Sequence, residues 1–377
     1  MKIVFLCGCL EPGRDGVGDY TRRLSIALIR QGHEVSALAI KDNFVNIPSE
    51  ENQTVENDCL QVLRIPLSVS LNERLSLTKK WIEKHNPDWL SLQFVPFSFH
   101  QKGLSFYLPR FLKDVGKGRS WHIMFHELWV GMNKEASLKL KIWGTLQKRL
   151  TRILISCTKP ALMHTQTRLY QEQIRKLGYN VSYLPLFSNI VKITVANGEC
   201  AAEKLPENKN IDFLIFGSIH PTKLLPSLIT ELSTYAFNNK SKISLTLLGR
   251  TGPEQAPWVK SFRDLGFEVT VLGEQPMEVI STALHKASIG ISTTPLSLAE
   301  KSGSVAAMAL HELLIICIAD KWQVNGIKEI VAPTGIYVYE PGKLKQFLDY
   351  KKDIPLSFSI SEVASMFEHD LLTTMKS

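Results

Sequence analysis

Residues 3–40 constrain this chain more than any other stretch. The apolar run Ile3-Val4-Phe5-Leu6 reads as a buried strand, and Gly13, Gly16 and Gly18 then crowd a short turn. A helix follows with Tyr20, Leu24, Ala27 and Leu28 on one stripe, Gly32 stops it, and Val35 to Ile40 opens a second apolar run. In such a turn the backbone can approach a phosphate closely, and the first helical amides have no partner within the helix. Glycines there also serve geometry alone, because they take positive φ without a clash. The spacing Gly13-x-x-Gly16-x-Gly18 is not the dinucleotide fingerprint. The turn by itself admits both roles.

The pattern repeats along the chain. Strand-like runs fall at Ile3–Leu6, Val35–Ile40, Gln61–Ile65, Trp89–Phe94, Trp121–Phe125, Ala161–His164 and Val181–Leu184, with helical stretches between most of them. Such alternation implies a parallel sheet covered on both faces. Residues 188–210 are polar, hold Gly198 and Pro206, and read as a linker. Alternation then restarts, with strands at Asp212–Phe216, Ser244–Leu248, Glu268–Leu272, Ser288–Ser292 and Leu314–Ile318 and helices near 223–236, 276–286 and 303–312. The expected organisation is an α/β chain of two doubly wound domains, 1–187 and 211–350, facing a central cleft. A helical segment, 351–377, closes the chain with Val363, Met366, Phe367, Leu371 and Leu372 at helical spacing.

Composition narrows the class. The 377 residues, 44% hydrophobic and 21% charged, suit a soluble protein of two ordinary domains. No apolar run approaches the roughly 20 residues that span a bilayer. The first apolar run passes into the glycine turn without a small-residue cleavage site, so it reads as a strand and not a signal peptide, and a cytoplasmic location is expected. Cys7, Cys9, Cys59, Cys157, Cys200 and Cys317 are scattered without C-x-x-C or zinc-finger spacing and read as buried free thiols. A net charge of +8 favours anionic partners. No nucleic-acid module is present, so a nucleotide ligand or a membrane surface fits better than DNA or RNA.

Three later segments carry chemistry. In FGSIHPTKLL, residues 216–225, a strand ends at Gly217 and Lys223 lies at the start of a helix, where it can reach a phosphate that also faces the helix amides. A solvated surface lysine is the plainer alternative. In ISTTPLSLAEKSGSVAAMALHE, residues 291–312, a strand ends near Ser292, a loop carries Glu300, Lys301, Ser302, Gly303 and Ser304, and a helix begins. Small hydroxylated residues and glycine there suit a diphosphate, and Glu300 can accept from sugar hydroxyls. Capping of the helix by Ser302 or Ser304 is the alternative. His126 stands at the carboxyl end of the strand WHIMF, whereas His33 and His85 read as ordinary helix-end or surface residues and His122 as packed.

Taken in order, these segments resemble the retaining nucleotide-sugar glycosyltransferases of the GT-B fold, family four of the sequence classification (glycosyl transferases group 1). The resemblance covers nearly the whole chain. It rests on GVGDYTRRLSIALIRQGHEV, FHELW at 125–129, FGSIHPTK, LTLLGR with VTVLGE, and LAEKSGSVAAM. It implies two Rossmann-like domains, the first binding the acceptor and the second the nucleotide-sugar. Gly16, Val17 and Gly18 would approach the donor phosphate or the acceptor, and His126 would lie in the cleft near the reacting sugar. Lys223 would hold the diphosphate and offset charge on the leaving group, and Glu300 would bind donor-sugar hydroxyls. Ser302, Gly303 and Ser304 would present amides to the diphosphate, while Gly249 and Leu272–Gly273 would line the nucleoside pocket. Gly217, Ser218, Arg250 and Lys301 complete the donor-binding set. No metal and no bound cofactor is implied, since lysine and helix amides supply the positive charge.

The sequence departs from the family at two places. Ser218 stands where an arginine usually follows the first-motif glycine, and Met308, or Ala307 with one gap, stands where a second glutamate binds ribose. Glu312 sits where glycine is typical. The resemblance thus implies a hexosyltransferase-type enzyme that moves a sugar from a nucleoside diphosphate donor to a glycan, lipid-linked or small-molecule acceptor. The two losses leave a catalytically inactive homologue, a scaffold partner of an active transferase, as the alternative. Residues 138–153 mix Leu, Ile and Trp143 with lysines and arginines. Such a helix can lie on the inner face of an anionic membrane, or pack its apolar stripe on its own sheet, and the packed helix is the reading preferred here.

Overall fold

The computed structural model describes residues 1–193, 210–327, 331–349 and 354–376. Most of the expected linker and Cys200 lie outside them. The chain divides into two units, Met1–Pro185 with Gln323–Gly326 and Ile360–Ser377, and Leu186–Trp322 with Ile327–Ser359.

The first unit runs β1 (Lys2–Cys7), α1 (Gly16–Arg30), β2 (Glu34–Asp42), β3 (Ser49–Val55), β4 (Asp58–Pro66), α2 (Leu71–His85), β5 (Trp89–Phe94), α3 (Pro96–Phe99), α4 (Leu108–Val115), β6 (Ser120–Phe125), α5 (Leu138–Thr158), β7 (Leu162–Thr165), α6 (Arg168–Arg175) and β8 (Ser182–Tyr183). Its sheet has the order β3-β4-β2-β1-β5-β6-β7-β8. The central strands are buried along nearly their whole length, which is why KIVFLC and WLSLQF read as continuous apolar runs and not as alternations. Every pairing is parallel except β3 with β4. The antiparallel β3, SEENQTV, was invisible to a search for apolar runs because this edge strand is mostly polar.

The second unit runs β9 (Asn210–Phe216), α7 (Leu225–Asn239), β10 (Lys242–Leu248), α8 (Gln255–Arg263), β11 (Glu268–Gly273), α9 (Met277–Lys286), β12 (Ile289–Ser292), α10 (Gly303–Leu310), β13 (Leu314–Cys317), β14 (Ile336–Val338) and α11 (Leu344–Asp349). Its parallel sheet has the order β11-β10-β9-β12-β13-β14. Phe213, Leu245, Trp258 and Phe262 fill one side of the sheet, and Leu284, Ala307 and Met308 fill the other. The last helix, α12 (Ile360–Lys376), belongs to the first unit, where Phe367 packs against Phe5 with ring centroids 6.0 Å apart.

Both sheets are wound in two directions. The order reverses between β1 and β5 in the first unit and between β9 and β12 in the second. At such a reversal the connections diverge to opposite faces and leave a crevice at the carboxyl ends of the strands. Three local details differ from the sequence reading. Gly16 and Gly18 lie within the first turn of α1, and of the three glycines only Gly13 takes positive φ, at 69°. Leu296–Lys301 coils as a 3-10 helix where a loop was expected. Cys59 is exposed and Cys157 half-buried, while Cys7, Cys9 and Cys317 are buried free thiols.

Candidate functional site

In the second unit the expected donor residues converge on the β9/β12 reversal. Gly217 ends β9 with φ 81°, and Gly249 and Gly273, at φ 82° and 66°, end the neighbouring strands β10 and β11. The Gly217 amide donates to Leu248 (2.8 Å) and the Gly249 amide to Gly273 (2.7 Å), so the ledge continues the sheet one step beyond its strands. A Cβ on Gly217 would lie 2.6 Å from Ser304 Oγ. That absence lets the end of β9 close on the first turn of α10. There Ser302 is the N-cap, its hydroxyl accepting from the Val305 amide at 3.4 Å. The capping role and the position beside the ledge therefore coexist. Gly303 and Ser304 follow as the first helical residues, whose amides have no partner within α10 itself. Glu300 and Lys301 are half-buried just before them.

The loop after Gly217 is fastened at three points. The Ile219 amide donates to Thr251 (3.0 Å), the His220 amide to Thr293 Oγ1 (2.8 Å), and the Lys223 amide to Asp320 Oδ1 (2.9 Å), which also accepts from the Thr222 hydroxyl at 3.2 Å. Lys223 and Ser218 are exposed on this pinned loop just ahead of α7. Arg250 pairs with Glu274, and both side chains are largely exposed. Asp320 and Thr293 carried no sequence signal, because each acts only through a loop brought to it from elsewhere in the chain.

The two departures have different structural meanings. Ser218 leaves an exposed position without a guanidinium. Met308 and Ala307 are fully buried, and Met308 Sδ fills the space over Gly290, 2.3 Å from where a Cβ would stand. Neither position presents a side chain to a ligand. Glu312 takes the left-handed φ of 58° in the turn that ends α10 and pairs with Lys192 at 2.6 Å. A cavity of about 560 Å³ on the β10–β11 side is lined by Thr246, Thr270, Glu278 and Lys286 and shares only Leu272 with the expected set.

In the first unit, Asp15 caps α1 and its carboxylate accepts from the Val17 and Gly18 amides at 2.8 and 2.7 Å. The chain's own anion thus takes two amides that the sequence offered to a phosphate. A Cβ on Gly18 would lie 2.5 Å from the Cys9 carbonyl oxygen, so this glycine lets α1 pack on the turn before it.

His126 is 5% exposed and anchors a buried polar chain. Asp370 on α12 accepts from His164 Nε2–H (2.9 Å), and His164 Nδ1 accepts from His122 Nε2–H (3.0 Å). Ser91 donates to His122 Nδ1 (2.8 Å) and accepts from the Gln93 amide (2.9 Å). His126 Nε2 then lies 2.8 Å from Gln93 Oε1 and its Nδ1 lies 3.2 Å from Gln166 Oε1, so both ring nitrogens face amide oxygens. The Asp370 carboxylate sets the donor direction at His164 and, through it, at His122. Tyr20 packs edge-on to His126 at 4.9 Å. Burial, then the neighbouring His164 and His126, hold the His122 pKa well below 6.5. The sequence located His126 but not Gln93 and Gln166, which flank it from neighbouring segments, or Asp370, which bonds His164 at the far end of the polar chain.

Helix α5 does not place its apolar stripe inward. It buries Gly144, Gln147, Thr151, Leu154, Ile155 and Thr158, and it exposes Leu138 (73%), Ile142 (56%), Leu146 (39%) and Ile153 (48%). The expectation of a stripe packed on its own sheet is corrected for these residues. Gly144 explains the inward face, since a Cβ there would lie 1.9 Å from the Val130 carbonyl oxygen. Among the described residues no helix is long and apolar enough to cross a membrane, and no three His, Cys, Asp or Glu side chains are grouped to hold a metal ion.

No family model matches the sequence, and no curated protein does. Solved structures match it along its whole length. HepE from Anabaena, in complex with UDP and glucose, is 16% identical, with a TM-score of 0.52 over 100% of this chain and 91% of that one. The catalytic domain of starch synthase IV from Arabidopsis thaliana, bound to ADP and acarbose, is 12% identical, with a TM-score of 0.56 over 100% of both chains. UDP-GlcNAc 2-epimerase from Neisseria meningitidis, bound to UDP-GlcNAc, is 11% identical, with a TM-score of 0.56 over 99% of this chain and 100% of that one. At these identities the likeness is one of fold. The chain has the GT-B fold, built from two Rossmann-like domains.

Proposed function

We propose that this protein is a glycosyltransferase that takes a sugar from a nucleoside diphosphate donor and transfers it with retention at the anomeric carbon. One observation carries the reading. Gly217 and the Ser302–Ser304 turn, distant in sequence, meet at the β9/β12 reversal of the second unit, and the loop that runs on from Gly217 to Lys223 is pinned by the Lys223 amide to Asp320. A diphosphate there meets the α10 amides and the Lys223 ammonium, two sources of positive charge that need no metal ion. Gly303 has an ordinary φ and open space around it, so the fold does not demand glycine at that position, and the bare backbone leaves room for a ligand to approach closely.

In this mechanism the leaving diphosphate develops charge as the glycosidic bond breaks, and Lys223 stabilises it. Retention, taken from the family-four resemblance, follows from attack on the face the leaving group vacates, with a diphosphate oxygen drawing the acceptor proton. Glu300 holds donor-sugar hydroxyls, and Gly249 with Leu272–Gly273 borders the nucleoside. His126 is held by Gln93 and Gln166 just after β6. The acceptor is a glycan, a lipid-linked sugar or a small molecule bound by the first domain. The exposed apolar residues of α5, set among Lys139, Arg149 and Arg152, fit peripheral contact with the inner face of an anionic membrane.

A second reading is favoured by Met308 and Ser218. With no carboxylate for ribose and no guanidinium for the diphosphate, two charge-assisted contacts worth about 1.5–3 kcal/mol each are missing. A homologue that keeps the fold as a binding or scaffold partner would show that pattern. A thermal-shift panel with UDP, GDP, ADP, CDP and their sugar conjugates separates the two. A ligand at 100 times its Kd adds roughly 2.7 kcal/mol of stability. A shift with one nucleotide supports the transferase; no shift at millimolar concentration supports the scaffold.

A further inference from the structure

A cationic cavity of about 580 Å³ lies wholly within the first unit. It is bordered by the segment Trp129–Met132, by Lys141 and Lys148 two turns apart on α5, by Lys176 at the end of α6, and by Asn325–Gly326. Two glycines build its wall. A Cβ on Gly131 would lie 2.4 Å from the Leu140 carbonyl oxygen, and the Gly144 position is as close to Val130. Only without side chains there can the 129–132 segment lie directly on α5.

The three lysines are held, not merely present. Lys141 Nζ donates to the Lys134 carbonyl (2.8 Å), Lys176 Nζ donates to the Gly326 carbonyl, and Lys148 Nζ sits 5.5 Å above the Trp129 ring. Each ammonium has three protons, so Lys141 and Lys176 keep two apiece for a ligand. No aspartate or glutamate lines the cavity, and none of the three lysines pairs with a carboxylate among the described residues. Three like charges gathered in one concavity repel one another, and an anion that sits among them relieves the repulsion. A compact anion with several acceptor oxygens suits this arrangement best.

We infer that this cavity binds a phosphate group carried by the acceptor, so that the acceptor is a phosphorylated sugar or a lipid phosphate. The anion site stands on the geometry alone; its assignment to the acceptor rests on the transferase reading. The test is calorimetric titration of the full chain with inorganic phosphate and with glucose 1-phosphate. Flotation is run in parallel with phosphatidylcholine vesicles with and without phosphatidic acid. The variant combines Lys141→Gln, Lys148→Gln and Lys176→Gln, and UDP binding reports on the second unit separately.

The expected result is saturable binding by the wild type that weakens about ten-fold or more in the variant while UDP binding is unchanged. Lysine-dependent binding of glucose 1-phosphate assigns a soluble phosphosugar, and lysine-dependent flotation only with phosphatidic acid assigns a lipid phosphate. Equal binding of every probe by the wild type and the variant overturns the proposal. Flotation that survives the variant belongs to the exposed α5 stripe and also counts against the cavity. Failure of the wild type to bind any of UDP, GDP, ADP and CDP would overturn the transferase reading and leave the phosphate site intact. Should the triple variant unfold, the exposed Lys176→Gln alone is titrated by the same criteria.

Discussion

Gly217 and Ser304 come so close that a Cβ on the glycine would stand 2.6 Å from the serine hydroxyl oxygen. This contact joins the end of β9 to the first turn of α10, and Gly217 holds it with φ 81°. Gly217→Ala therefore meets a strained backbone and a clash together. It is expected to destabilise the protein by about 1–3 kcal/mol and to weaken nucleotide binding. Urea denaturation with UDP titration checks both. Ser304→Gly in the same background should recover part of the stability by removing the clash.

Lys223→Ala should separate binding from folding. The side chain is exposed, and the backbone amide that anchors the loop to Asp320 is untouched. The expectation is an unchanged melting temperature and a loss of donor binding of about ten-fold or more, the equivalent of one charge-assisted contact. Asp320→Ala should do the converse damage, because it frees the loop while leaving the ammonium. Full activity in Lys223→Ala would remove this lysine from the mechanism.

Restoring the carboxylate that the family resemblance implies should fail. Met308 is fully buried against Gly290, so Met308→Glu places a charge in the core and not beside a ribose. A loss of several kcal/mol is expected, against less than about 1.5 kcal/mol for Met308→Leu. Denaturant midpoints of the two variants decide the point, and a stable Met308→Glu with tighter nucleotide binding would contradict it.

Buried His122 makes stability fall in acid. His122 has its pKa lowered by burial, so below pH 6.5 the unfolded chain takes up a proton that the folded chain refuses. The unfolded state then binds more protons, and stability drops as pH falls from about 6.5 downward. Asp370, held low chiefly by its hydrogen bond from His164, adds stability above 3.8 that is lost as pH falls further. Urea midpoints between pH 7.5 and pH 5 should decline in the wild type and flatten in His122→Gln. An equal slope in both would assign the effect elsewhere.

Cysteine reactivity checks the burial around β1. Cys9 is pushed up to about 12 by burial, and burial raises Cys7 also, so both stay protonated and unreactive. Of the described cysteines, a thiol reagent should modify the exposed Cys59 first. Peptide mapping after brief labelling gives the answer.

The sequence by itself determined the alternation of strands and helices, the glycine turns, and the place of Lys223, Glu300 and Ser302–Ser304 after their strands. These are local signals: apolar runs, helical spacing, capping residues and glycine. Edge strand β3 escaped because polar SEENQTV carries no apolar run. Only the tertiary structure decided which candidates meet. The order β11-β10-β9-β12 brings Gly217 to Ser304, 87 positions apart, because a crossover connection places strands by face and not by sequence distance. The same packing turned Met308 into the core, enclosed His126 between Gln93 and Gln166, and gathered Lys141, Lys148 and Lys176 around one cavity. Periodicity states which face of a segment is apolar. It does not state what that face will meet, and α5, with leucines and isoleucines outward and Gly144 inward, is decided by the contact and not by the pattern.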